Sequence, residues 1–158
     1  MLIRTPTGMQ EKPPQVNENT LRAAAQVFTG RPEVILAYLF GSYARGRPSP
    51  ISDVDFAVLL SEAIPREAYL EYQIALIQGL TRIFRSDEVQ VVILNQAPPL
   101  LAYAVIVHGR ELLCRDAPAR VRFRVSATQR YLDTQPLRKV QAEATARRIR
   151  EGQFGRRP

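Results

Sequence analysis

Two apolar runs, Val34–Phe40 and Val54–Leu60, flank one short polar stretch, and that arrangement constrains the fold more than any other feature of the chain. Runs of this length, rich in Val, Leu and Ile and bounded by breakers, read as buried strands. Gly41 and Gly46 break the first run, with polar residues between them. The second run begins inside an Asp53-Val54-Asp55 triplet. Residues i and i+2 of a strand share a face, which puts the two carboxylates side by side, about 7 Å apart along the strand. Like charges so placed repel each other and lose solvation, and a bound cation relieves both penalties. Carboxylate oxygens suit Mg2+, which keeps several waters and takes further ligands from substrate phosphates.

Gly41 and Ser42 supply what an anionic substrate needs. Glycine lets backbone N–H groups approach phosphate oxygens without a side chain in the way. The Ser42 hydroxyl can donate to the same oxygens. A helix starting near Ser42 or Tyr43 would add the attraction of its N-terminal dipole. Arg45 and Arg47 lie in the same loop, either against triphosphate oxygens or in solvent. The alternative for the whole segment is an ordinary strand–turn–strand built from turn-favouring Gly, Ser, Pro and Asp.

The pattern Gly41-Ser42, ten residues, Asp53-x-Asp55 resembles the nucleotidyltransferases of the DNA-polymerase-β type. It is similar more narrowly to the minimal nucleotidyltransferases (MNT), the antitoxin half of HEPN–MNT toxin–antitoxin pairs. Phe40, Tyr43, Ala44, Arg45, Gly46 and Ser52 also fit. The likeness extends to Val89–Leu94 with the following Asn95–Leu101, and to the short His108–Leu113 segment. It covers roughly residues 18–150. It implies an α/β (more narrowly α+β) fold: a small mixed β-sheet core flanked by helices, with a helical C-terminus. It implies Mg2+ held by Asp53 and Asp55 as catalytic carboxylates, ATP as substrate bound by Gly41, Ser42 and Arg45, and AMP transfer to a hydroxyl. The implied acceptor is a tyrosine of a HEPN-type toxin. A nucleotidyltransferase acting on a small molecule or an RNA end is the other enzymatic reading.

One position departs from the family. Polymerase-β-type enzymes carry a third carboxylate on a neighbouring strand, and the matching residue here is Gln90. Glutamine hydrogen-bonds but brings no charge to hold a metal or accept a proton. In a two-metal scheme one ion binds the triphosphate and the other activates the attacking hydroxyl. Asp53 and Asp55 would hold the first, and the second would be weakly bound. Glu88, two residues before Gln90, is the candidate substitute, the alternative being a solvent-exposed strand end. A binding-only antitoxin that has lost catalysis therefore stands beside the active one.

The chain has 158 residues, 46% of them hydrophobic and 23% charged, as in an ordinary single soluble domain. No apolar stretch approaches the length of a membrane span, and the N-terminus lacks a secretory pattern. Cys114 is the only cysteine, which rules out an internal disulfide and reads as a small core or strand residue. These features point to the cytoplasm. The net charge of +7 is uneven: residues 1–114 carry −1 and residues 115–158 carry +8. Nucleic acid binding through this basic C-terminus is possible, but few aromatics accompany the charges. A solvated helical face, or a face for an acidic protein partner, is the preferred reading.

The expected organisation is a mobile leader at 1–16, a core at 17–115, C-terminal helices at 116–150 packed on the same domain, and a tail at 151–158. Asn17 or Asn19 is expected to cap a helix through Phe28. Pro65 is expected to start another running to about Phe84, with Tyr69, Tyr72, Leu76 and Leu80 as its core stripe. Val89–Leu94 reads as the third strand, Pro98–Val107 as a short helix, and Glu111–Cys114 as a small strand. From Pro118 onward one or two helices are expected, broken near Pro136. His108, at a predicted helix end, is read as satisfying orphan carbonyls rather than as catalytic.

Overall fold

A computed structural model describes residues 13–152, so most of the expected leader, up to residue 12, and the tail from residue 153 lie outside the described residues. The strands are β1 (Val34–Phe40), β2 (Val54–Leu60), β3 (Val89–Ile93) and β4 (Arg110–Cys114). They form one sheet in the order β3-β2-β1-β4. The β1–β2 and β1–β4 pairs are antiparallel, and the β2–β3 pair is parallel. The expected small mixed sheet is therefore present.

Apart from Asp55, the central strands are apolar along their length because both faces are covered, the usual condition for such runs. On one face lie α1 (Glu18–Thr29) and α3 (Tyr69–Phe84), which bring Leu21, Phe28, Leu76, Leu80 and Phe84 onto Val54, Phe56, Val58 and Leu60 of β2. On the other, α4 (Pro99–His108) and α5 (Ala117–Asp133) bring Ala102, Val105, Ile106, Phe123 and Ala127 onto Leu36, Tyr38 and Ala57. Val34 shares a core with Ala37 and Leu39 although strict alternation would separate them. A register irregularity between Val34 and Leu36 resets the parity.

Asn17 is the cap of α1, its side chain accepting from the backbone N–H groups of Asn19 and Thr20 at 3.0 Å each. The Thr20 hydroxyl in turn accepts from the Asn17 N–H, which completes a reciprocal box. After Pro65 the chain first makes a 3-10 turn, Arg66–Ala68, before α3 begins at Tyr69. Leu76 and Leu80 are fully buried, while Tyr69 and Tyr72 are partly buried against the same core. The helix stops where Arg85 turns left-handed at φ +50°.

The C-terminal region forms α5 and α6 (Gln135–Arg150), and Pro136 lies in the first turn of α6, where a missing N–H costs nothing. The two helices differ in how they pack. α5 places Phe123 and Ala127 in the core, whereas α6 buries no side chain. α6 is attached at its start: Tyr103 of α4 and Tyr131 of α5 stack at 3.8 Å, and the Arg138 guanidinium lies 3.9 Å from the Tyr131 ring centre. No helix among the described residues is long and apolar enough to cross a membrane.

Candidate active site

The site lies where β1 ends and β2 begins. Phe40, the last residue of β1, is the cross-strand partner of Asp55. Gly41 then takes φ +73°, a conformation suited to glycine, and opens the single-turn helix α2 (Gly41–Ala44). The turn presses the Gly41 backbone onto Asp55, and a Cβ at this position would overlap the Asp55 carboxylate. Glycine is thus required here both for its backbone angle and for its lack of a side chain.

Beyond α2 the loop folds back on itself. The Arg47 N–H donates to the Ser42 carbonyl at 3.0 Å, and the Arg45 side chain donates through Nε to the Gly41 carbonyl at 3.3 Å. Ser42, Arg45 and Arg47 line an open cavity of about 500 Å³. Ser49 and Ser52 then close a turn. The Ser52 N–H donates to the Ser49 carbonyl at 3.0 Å, and the Ser49 N–H donates to Ser52 Oγ at 2.7 Å. This turn returns the chain to Asp53, immediately before β2.

Asp55 shares the strand parity of Ala57, which faces the α4–α5 side, and Asp53 lies just before β2, near enough for its charge to act on Asp55. Burial first, and the Asp53 charge second, raise the Asp55 carboxyl above its ordinary value of 3.8. Two neighbouring carboxylates, one of them partly desolvated, beside the Gly41–Ser42 turn are a donor set that would suit a hard divalent cation. Among the described residues no group of three or more His, Cys, Asp or Glu side chains is arranged to hold a metal. A cation at Asp53 and Asp55 would complete its coordination from water and phosphate, as Mg2+ commonly does.

A consequence for stability follows from the raised Asp55. Its folded state binds a proton more readily than its unfolded state, so protonation favours folding, and this contribution is lost as pH rises through the folded value. With metal absent, the stability of the wild type relative to Asp55→Asn is expected to fall between pH 3.8 and neutrality. Thermal melting of both proteins in chelator across that range checks it, and a constant difference would contradict it.

The parallel register places Gln90 beside Asp55 and Val89 beside Val54. Gln90 Nε2 donates to Asp53 Oδ2. This contact escaped sequence reasoning, because the parallel pairing forms only after α3 has carried the chain back. Glu88 lies one residue before β3, is exposed, and accepts from the Val54 N–H through its backbone carbonyl at 2.8 Å. His108 lies in the last turn of α4, and Cys114 is a partly buried end residue of β4.

The Gly41–Ser42 turn and the Asp53–Asp55 pair meet at one end of a mixed sheet covered by helices, the arrangement expected of a nucleotidyltransferase. The chain belongs to the polymerase beta nucleotidyltransferase family, whose model matches residues 23–118. It is 35% identical over 98 residues to the protein adenylyltransferase MntA of Shewanella oneidensis. That match spans 62% of this chain and 66% of the relative. Among solved structures it is similar to a chain of a toxin–antitoxin complex crystallised with AMP-PNP, at 29% identity and a TM-score of 0.64, covering 83% of this chain and 99% of that one. It is also similar to a chain in the complex of a tri-AMPylated Shewanella oneidensis HEPN toxin with its MNT antitoxin, at 25% identity and a TM-score of 0.63, covering 82% and 98%.

Proposed function

We propose that this chain is an MNT-type antitoxin that transfers AMP from ATP to a tyrosine hydroxyl of a HEPN-type toxin in the cytoplasm. The observation that carries the reading is the packing of Gly41 onto Asp55, which joins the phosphate corner and the carboxylate pair into one site. In this reading the Gly41–Ser42 backbone and the Ser42 hydroxyl bind the β and γ phosphates. Arg45 and Arg47 border the cavity from which the triphosphate enters. Asp53 and Asp55 hold Mg2+, which when bound stabilises charge on the α phosphate and on the leaving group. The tyrosine oxygen attacks the α phosphorus, a new P–O bond forms, the bond to pyrophosphate breaks, and the phenolic proton passes to water. The toxin brings the acceptor, consistent with the toxin–antitoxin setting of the solved relatives.

Gln90 favours a second reading, in which transfer is slow or lost and the toxin is neutralised by binding. The amide stands in the register position beside Asp55 and supplies no base. Mass spectrometry of the toxin co-purified with this chain separates the two. A gain of one AMP on a tyrosine is the expected result. A tight complex with unmodified toxin, together with rescue of toxin-expressing cells by the Asp53→Ala, Asp55→Ala double variant, would establish binding alone. Neither complex nor modification would overturn both.

A further inference from the structure

We propose that Gln90 is a positioning residue for the metal ligand Asp53, and so a working part of the site as well as a missing carboxylate. The inference rests on the reading of Asp53 and Asp55 as the Mg2+ pair. Asp53 precedes β2 and lies in the segment following the Ser49–Ser52 turn, so the strand ladder does not fix it. Its neighbour Asp55 is held differently, inside β2 between Phe40 on one side and Gln90 on the other. An Asp at a strand entrance has freedom about its side-chain torsions, and each ligand torsion fixed before binding removes an ordering cost.

Gln90 supplies that restraint. Its backbone is anchored in β3 by the parallel ladder, its side chain shares the face of Asp55, and its Nε2 donates to Asp53 Oδ2. An amide donor leaves the charge of the Asp53 carboxylate in place, whereas a third carboxylate would repel it until a second cation arrived. With Oδ2 engaged by the amide, Oδ1 is left for the cation. Donors of this kind around ligating carboxylates orient them, and their loss typically lowers metal affinity about 10- to 100-fold. Gln90 is exposed, so its replacement disturbs no packed core.

The test is Mn2+ binding in the presence of AMP-PNP, followed by electron paramagnetic resonance, for the wild type, Gln90→Leu and Gln90→Ala. Leu retains most of the side-chain volume without the donor, and Ala removes both. Both variants are expected to bind Mn2+ about 10- to 100-fold more weakly, with thermal melting in chelator unchanged. Affinity within twofold of the wild type in both variants would overturn the proposal. Lowered melting with unaltered Mn2+ affinity would also overturn it, by assigning Gln90 a purely structural role. A wild type that binds no Mn2+ with the nucleotide would instead overturn the reading of the carboxylate pair on which the inference rests.

Discussion

Replacing Asp53 and Asp55 together with Asn is expected to lower AMP transfer by about a thousandfold or more, equivalent to about 4 kcal/mol of transition-state stabilisation. Among the described residues no third His, Cys, Asp or Glu joins the two carboxylates in a group that could hold a metal, and the register neighbour of Asp55 in β3 is the neutral Gln90. A neutral amide in their place keeps the shape but gives the ion no charge to bind. The effect is expected with fold retained. Asp55 is strained electrostatically when ionised, by burial and by Asp53, so Asn at this position is expected to raise the melting temperature of the metal-free protein while activity disappears. That opposition is the signature of a site arranged for function at some cost to stability. Radiolabelled AMP incorporation into the partner, together with melting curves, checks both halves. Residual transfer above about a tenth of the wild-type rate would show that another group supplies the charge.

Phe56→Ala is expected to give the largest loss of stability, about 3–5 kcal/mol. Phe56 is wholly inaccessible, and its ring lies 5.7 Å from Phe28 and 5.6 Å from Phe84. These contacts join α1, β2 and α3 in one line. Truncation leaves a cavity at their common centre and removes both tilted aromatic contacts, which add to simple burial. Against a total stability of about 5–15 kcal/mol for a typical domain, this is a drop of about 6–20 °C in melting temperature. Phe56 is also the residue after Asp55, so weaker nucleotide binding is expected to accompany the loss. Urea or thermal unfolding monitored by circular dichroism measures the first effect. A change under about 1 kcal/mol would mean that the core collapses around the gap.

The parts legible in the sequence were those written in short, local patterns. β1 and β2 are continuous apolar runs stopped by a glycine and started by an Asp pair, and the structure has them at Val34–Phe40 and Val54–Leu60. The α3 stripe was readable at Leu76 and Leu80 because helical spacing alone places them on one face. Other features depend on distant partners. The 3-10 turn after Pro65 reflects how the chain must enter α3, which no local preference dictates. The Gln90–Asp53 contact joins residues 37 apart through a parallel register that exists only once the sheet has assembled. The Ser49–Ser52 turn lay inside a stretch that composition marked only as a loop. The different packing of α5 and α6 was likewise hidden, since both are basic helices with scattered apolar residues.

The terminal helix carries a lesson about where this molecule can change. α6 gives no side chain to the interior, and its described ties to the rest of the chain run through Arg138 at its first turn. Substitutions along its outer turns therefore leave the catalytic scaffold's energetics nearly untouched. Selection, or an engineer, is free to redraw that surface while the sheet and the carboxylates beside it stay the same.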